Sequence, residues 1–433
     1  MTASLGNANA SNIELDSSSL TLKSLQSKTE EIEGVQTTTY YNVTLDTLNA
    51  SGASKVSLET SGGTINLLNA SYTGDASDLE NSLITLTSET GGMNIKNSSF
   101  ENATLMLESG ATGWRNGYFQ NVTFNNSSVT ATFAGENWIP LNMTLDNNST
   151  FTYAGKQGRL FLNNDENTLS NVLKIHGGSS VNFVSDSQDN YISTSMENGL
   201  VKVDLNNGTL DGQKKIFNIR TQAANSQSIV EARSNSQMLV RELKFIMNSN
   251  STESSLQLFN IDSSSKLVAE SIVALASDHI ATSAIDLETG TLSGSWIKFD
   301  IDSSLSADSP LIELSSSSGI NADEGYLGIL VDFSLTKVSL ATDEYALISA
   351  EQAALDISTI YVKLSSGKIV EVSAEENGLF VYDGGELEDS FSFYLNGGEF
   401  GLSSYNFVPE PSTYALLFGL AALAFAARRR RRC

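Results

Sequence analysis

The chain has 433 residues, with 50 acids against 25 bases and a formal net charge of −25; residues 1–407 alone hold 49 acids against 20 bases. So acidic a body repels phosphate backbones and anionic lipid surfaces, which excludes nucleic acid as a partner. One cysteine (Cys433) and two histidines (His176 and His279) rule out a disulfide framework and leave little for a zinc site or for general-base chemistry, while 40% hydrophobic residues, 19 Phe, 13 Tyr and only 4 Pro mark a folded, strand-rich chain.

Residues 1–12 read as a mature-like N-terminus. MTASLGNANA has neither the basic nor the apolar region that opens an exported chain, yet Ala8-Asn9-Ala10 has the small-x-small form of a signal cleavage site. The expectation is that the true start lies upstream of Met1, with a signal peptide ahead of it.

From residue 13 to about 320 one pattern recurs: apolar, any, apolar, any, then an Asn/Gly/Ser cluster, then an apolar residue restarting the alternation. INLLNASY (65–72), MNIKNSSF (93–100), VTFNNSSV (122–129), MTLDNNSTF (143–151), LKIHGGSSVNF (173–183), VDLNNGTL (203–210) and FNIDSSSKL (259–267) are copies. Period-two alternation places Val122 and Phe124 on one face of a strand and Thr123 on the other. Asn, Gly and Ser bend the chain because they tolerate left-handed backbone or bond to it locally. Anchoring apolar residues at Leu67, Ile95, Phe124, Leu145, Ile175 and Leu205 fall 28, 29, 21, 30 and 30 residues apart. That period predicts an all-β chain folded as a parallel β-helix, or β-solenoid, of roughly a dozen coils about 60 Å long. Asparagines at equivalent bends are expected to stack in ladders. A β-sandwich is the competing architecture, but its hairpins prefer Asn-Gly or Asp-Gly turns and spacings of 8–12 residues.

Of 38 Asn, 33 lie within residues 1–250 and five beyond. Residues 212–250 fit the repeat least well, and their apolar residues suit a short helix or a lateral insertion. From residue 321 to 405 the strands lengthen, as in YLGILVDFSL (326–335) and LFVYDGG (379–385), and read as a β-rich cap on the open end of the stack.

Residues 408–433 are VPEPSTYALLFGLAALAFAARRRRRC. Val408, Pro409, Glu410 and Pro411 form a stiff, extended start, since proline fixes φ and biases its predecessor away from helix. The apolar run 414–427 follows, with Tyr414, Leu416, Leu417, Phe418, Leu420, Leu423 and Phe425 as its bulk. Alone it would span about 21 Å as a helix, short of the ~30 Å hydrocarbon core. With Ser412, Thr413 and snorkelling arginine stems, a transmembrane helix over 412–429 becomes long enough. Arg428, Arg429, Arg430, Arg431 and Arg432 hold the C-terminus on the cytoplasmic side by the positive-inside rule, which places the body outside the cytoplasm.

The order of Pro-Glu-Pro, apolar helix and arginine run closely resembles the PEP-CTERM sorting signal of Gram-negative bacteria. The resemblance covers 26 residues and implies export, recognition by a membrane-embedded exosortase, cleavage near 409–411, and delivery to the cell surface or extracellular matrix. Pro409, Glu410 and Pro411 are then a recognition element for another enzyme. Cys433 departs from the usual arginine ending and lies in no prenylation motif. The body resembles the solenoids of exported proteins carrying this signal and the passenger domains of autotransporters.

Pectin-degrading enzymes share the parallel β-helix, so a polysaccharide lyase or glycosidase is the alternative to a non-enzymatic surface protein. His176-Gly177-Gly178 is similar to the histidine-glycine element of polygalacturonases, but no paired-aspartate or Arg-x-Lys element accompanies it. No catalytic residue and no cofactor is assigned. Calcium is the one metal the bend oxygens suit, at Asp186, Asp189 or Asp383, though no EF-hand or glycine-rich nonapeptide repeat is present. Asn42, Asn69, Asn97, Asn102, Asn121, Asn142 and Asn207 sit in Asn-x-Ser/Thr triplets, read here as turn chemistry rather than glycan acceptors. Trp114, Trp138 and Trp296, with Tyr118 and Phe119, could stack on extracellular polysaccharide, although lone aromatics in a β-rich body more often pack the core.

Overall fold

Asparagine makes the bends. Asn97, Asn121 and Asn142 hold φ of 50°, 54° and 53°, a left-handed backbone that asparagine tolerates and β-branched residues do not. Each bends an otherwise continuous extended stretch, Met93–Glu101, Gly117–Asn125 and Asn137–Asp146, turning a first side of the coil into a second. Further left-handed asparagines at 102, 126, 147 and 148 lead into a third side, Thr104–Ser109, Ser128–Phe133 and Thr150–Tyr153. The computed structural model describes residues 7–408, except 25–26, 33–34, 113–116, 136, 155–158, 165–167, 185–189, 249–250, 252–253, 276–282, 323–326, 337, 341–343, 351 and 387.

Each side pairs in parallel with the same side of the neighbouring coils, giving an all-β, solenoid-like stack. On the second side one inward column runs Leu15, Ala50, Tyr72, Phe100, Phe124, Leu145, Ile175, Leu205, Ala232, Ile261, Phe299, Val331, Val362, each residue in register with the next. On the third side a column runs from Leu20 through Val56, Ile84, Leu105 and Val129 to Phe151 and onward. At about 4.8 Å per step the second-side column is roughly 60 Å long. A coil has no core of its own, so the apolar columns become buried only by stacking. Phe100 and Phe124 stack at 5.3 Å between ring centroids, and Trp138 and Phe151 at 4.1 Å, giving the middle coils an aromatic interior.

Polar side chains knit the bends. Asn121 donates to Asn97 Oδ1 (2.9 Å), Asn97 to Asn69 (3.4 Å), and Asn69 to Asp46 (3.3 Å), the ladder expected from the repeat. A second ladder is fully buried and made of serine. Ala103 N–H donates to Ser127 Oγ, Ser127 N–H to Ser149 Oγ, and Ser149 N–H to Ser179 Oγ, at 3.0–3.1 Å. Each hydroxyl thereby satisfies an amide that the bend would otherwise bury without a partner.

Some details differ from the sequence reading. Ile95 does not stack on Phe124: it pairs with Phe119 on the first side, and Phe124 pairs with Phe100 on the second. The anchor spacing had merged two sides because one strand carries both through its left-handed bend. Within 212–248, the described part of that segment, there is neither helix nor lateral insertion. Thr209–Thr221, Gln227–Arg233 and Gln237–Met247 are coil strands in parallel register, with one irregularity between Gly212 and Ile216. A lateral insertion occurs elsewhere, as the antiparallel hairpin Ser27–Ile32 and Val35–Tyr40. The first described strand, Ala8–Ala10, pairs in parallel with Val43–Leu45.

At the other end the pairing changes sense. Tyr345–Ala350 and Thr359–Lys363 still pair in parallel with the coil before them. Each is then covered by an antiparallel partner, Glu399–Asn406 and Ile369–Ser373 respectively, and Leu379–Tyr382, Ser390–Asn396 and Glu399–Asn406 complete an antiparallel meander.

Candidate functional site: the C-terminal exit from the cap

The last described strand, Glu399–Asn406, lies between Tyr345–Ala350 and Ser390–Asn396, so the chain approaches its tail from inside the cap. Tyr405 is buried and stacks on Phe333 at 4.1 Å with rings 11° apart. Its hydroxyl donates to Oδ2 of Asp389 (2.9 Å), which also receives the Ser365 N–H (2.8 Å), while Oδ1 receives the N–H of Val408 (2.9 Å). Asp389 is only 2% exposed, and these three donors are what make its burial tolerable. Burial, reinforced by the bond to Asp389 and its charge, pushes the Tyr405 hydroxyl far above the usual phenol range. Phe407 donates its N–H to Ser339 Oγ (3.0 Å) and packs against the core. The fold thus runs into Val408 without a linker.

Of the residues read as the sorting segment, Val408 is placed here. Pro409, Glu410, Pro411, the apolar residues from Tyr414 to Phe425 and the five arginines lie outside the described residues. Among the described residues no helix is long and apolar enough to cross a membrane.

The charged groups on the outer faces are tied together across coils. Asp204 takes two bonds from Arg233 Nη2 (2.8 and 3.0 Å) and lies 3.2 Å from His176 Nε2. Lys298 bridges Asp300 (2.6 Å) and Asp332 (3.0 Å), and Lys363 reaches Asp332 at 3.5 Å. Burial alone would raise the Asp332 carboxyl, but Lys298 and the Ser334 donors outweigh it and hold it below the usual range. Burial likewise pulls Lys298 down, and the two aspartates more than reverse that.

The other residues singled out by sequence are scattered. His176 precedes the left-handed pair Gly177-Gly178 (φ 60° and 81°), an ordinary bend whose histidine serves the Asp204 network; His279 lies outside the described residues. Asp383 accepts the Gly385 N–H (2.9 Å) and closes its own turn, and Asp186 and Asp189 lie outside the described residues. Among the described residues no group of three or more His, Cys, Asp or Glu is placed to hold a metal ion. Trp138, Trp296 and Phe119 are fully buried, so they form core and not an external platform. Tyr118 is half-buried with Lys96 Nζ 5.0 Å over its ring, and Trp114 lies outside the described residues. Of the seven asparagines named above from Asn-x-Ser/Thr triplets, which are not all the chain holds, Asn69, Asn97, Asn102, Asn121, Asn142 and Asn207 have positive φ. Asn42 instead accepts the Thr64 N–H through its side chain (2.8 Å).

The profile of the PEP-CTERM protein-sorting motif matches residues 407–431. The match begins at Phe407, the residue that packs against the cap core. It points to an exported protein with exosortase as its processing partner. No curated protein and no solved structure matches the chain. The Asp389 cluster was invisible in the sequence, where Asp389 is one of 50 acids and none of its partners is periodic.

Proposed function

We propose that the chain is a precursor whose acidic parallel β-helix is exported and displayed at the cell surface or in the extracellular matrix as a non-enzymatic rod. An exosortase would cleave it near 409–411 while residues 412–429 span the membrane with the arginines on the cytoplasmic side. The observation that carries this reading is the sorting motif at 407–431, joined without a spacer to a folded, capped stack. Two further features support it. The outer carboxylates at Asp204 and Asp332 are engaged by cations of neighbouring coils, a bracing role rather than that of a free acid and base. Exposed Ser128, Thr130 and Thr132 on the third side offer neutral hydroxyls of the kind that bond hydrated extracellular polysaccharide.

The test is fractionation of a tagged full-length chain in an exosortase-bearing host, reading precursor and mature masses in membrane and medium. Replacing the five arginines by Ser removes the topological anchor, so the precursor should fail to insert stably. Glu410→Gln leaves the apolar span intact, so insertion should persist while maturation falls at least tenfold. Normal maturation of Glu410→Gln would remove Pro-Glu-Pro as the recognition element.

A further inference from the structure

The cap closes the stack and also grips the start of the sorting segment. Val408 is the last residue before Pro409, which has no N–H to offer, so Asp389 Oδ1 holds the final backbone donor ahead of Pro-Glu-Pro. Asp389 Oδ2 is held in turn by Ser365 N–H and the Tyr405 hydroxyl, which belong to two other parts of the cap. A carboxylate that is 2% exposed and bonded from three directions has one orientation available to it. One residue earlier, the Phe407 N–H is bound by Ser339 and its ring is packed.

We infer that Asp389 is a positioning residue for the sorting cleavage: it fixes the point and direction at which residues 409–411 leave the body, so the processing enzyme meets a substrate already partly ordered. This rests on the reading of 407–431 as an exosortase substrate. From Val408 to Tyr414, where the apolar run begins, the chain reaches about 20 Å at most. Over so short a bridge, each residue released from the cap adds conformations that the enzyme must freeze before it can cut. Releasing Phe407 and Val408 should slow maturation about tenfold, the order expected when one or two residues lose their prior ordering.

The test follows conversion of the tagged full-length precursor by pulse-chase in an exosortase-bearing host. Four variants are compared: Asp389→Ala, a Gly-Gly-Ser-Gly insertion between Val408 and Pro409, the two combined, and Glu410→Gln. The insertion leaves Asp389 and all its partners in place, so it cannot act through misfolding of the cap. Asp389→Ala and the insertion should each slow maturation about tenfold, and the combination should be no slower than either, because both uncouple the same segment. Hydrogen exchange should show the Val408 amide protected in the insertion variant and open in Asp389→Ala. An insertion variant that matures at the parental rate overturns the inference, whatever Asp389→Ala does. Normal maturation of Glu410→Gln takes down the sorting reading itself and this inference with it, so the two failures are told apart.

Discussion

Asn121 separates what asparagine does for the backbone from what it does for its neighbour. Its φ is 54°, and its side-chain amide donates one exposed bond to Asn97 at 2.9 Å. Asn121→Gly keeps a backbone for which the left-handed region is free and loses the exposed bond, worth about 0.5–1 kcal/mol. Asn121→Ala loses the same bond and also the short polar side chain whose local bonding lets asparagine tolerate the left-handed region, where a plain Cβ costs about 1–2 kcal/mol. The expected order of stability is therefore Asn, Gly, Ala, with alanine down by about 2 kcal/mol in total. Urea unfolding followed by far-ultraviolet circular dichroism measures this as shifts in midpoint at constant slope. An alanine variant as stable as the glycine variant would show that the bend is not left-handed, and the turn explanation for the asparagine-rich first 250 residues would fall. The same series bears on glycan acceptance, because asparagines required by backbone conformation need no sugar to explain their number.

Ser149→Ala should cost about 2 kcal/mol, since it leaves the buried Ser127 amide without its acceptor; hydrogen exchange should show that amide opening first, and unchanged protection would contradict the serine ladder. Lys298→Met should destabilise the body by about 3 kcal/mol at neutral pH by leaving the buried Asp332 with the Ser334 donors and, as a cation, the more distant Lys363. Because the folded Asp332 carboxyl lies below its ordinary value, its contribution is present above the ordinary carboxylate range and lost as pH falls through the folded value. The gap between parent and Lys298→Met should therefore narrow on acidification, and a gap independent of pH from 7 to 3 would refute the pairing.

Features repeated from coil to coil were legible in the sequence, and features used once were not. The inward column through Phe124, Leu145 and Ile175 could be read because each residue recurs in the same place relative to an Asn/Gly/Ser bend, so every copy supports the others. The error at Ile95 arose inside that same signal. Ile95 and Phe100 lie on one strand, both inward and both buried, and only the positive φ at Asn97 between them separates the two sides of the coil. The bend shifts the in-and-out pattern by one residue, so that Ile95 and Phe100, five apart, both face inward, and a count of anchor spacings does not register that shift. The hydroxyls of Ser127, Ser149 and Ser179 were in view as bend residues, yet their burial follows from coil stacking, which composition does not express. Asp389 is further from reach. Its partners Ser365, Tyr405 and Val408 are brought to it by antiparallel strands that occur once in the chain, so no second copy exists to mark the position. The tail motif is also used once, but it must be read by another protein as a linear string, and so it stays legible as sequence. A residue that positions that string for its reader is under no such requirement, and it becomes visible only when the fold places its carboxylate against the last free amide before Pro409.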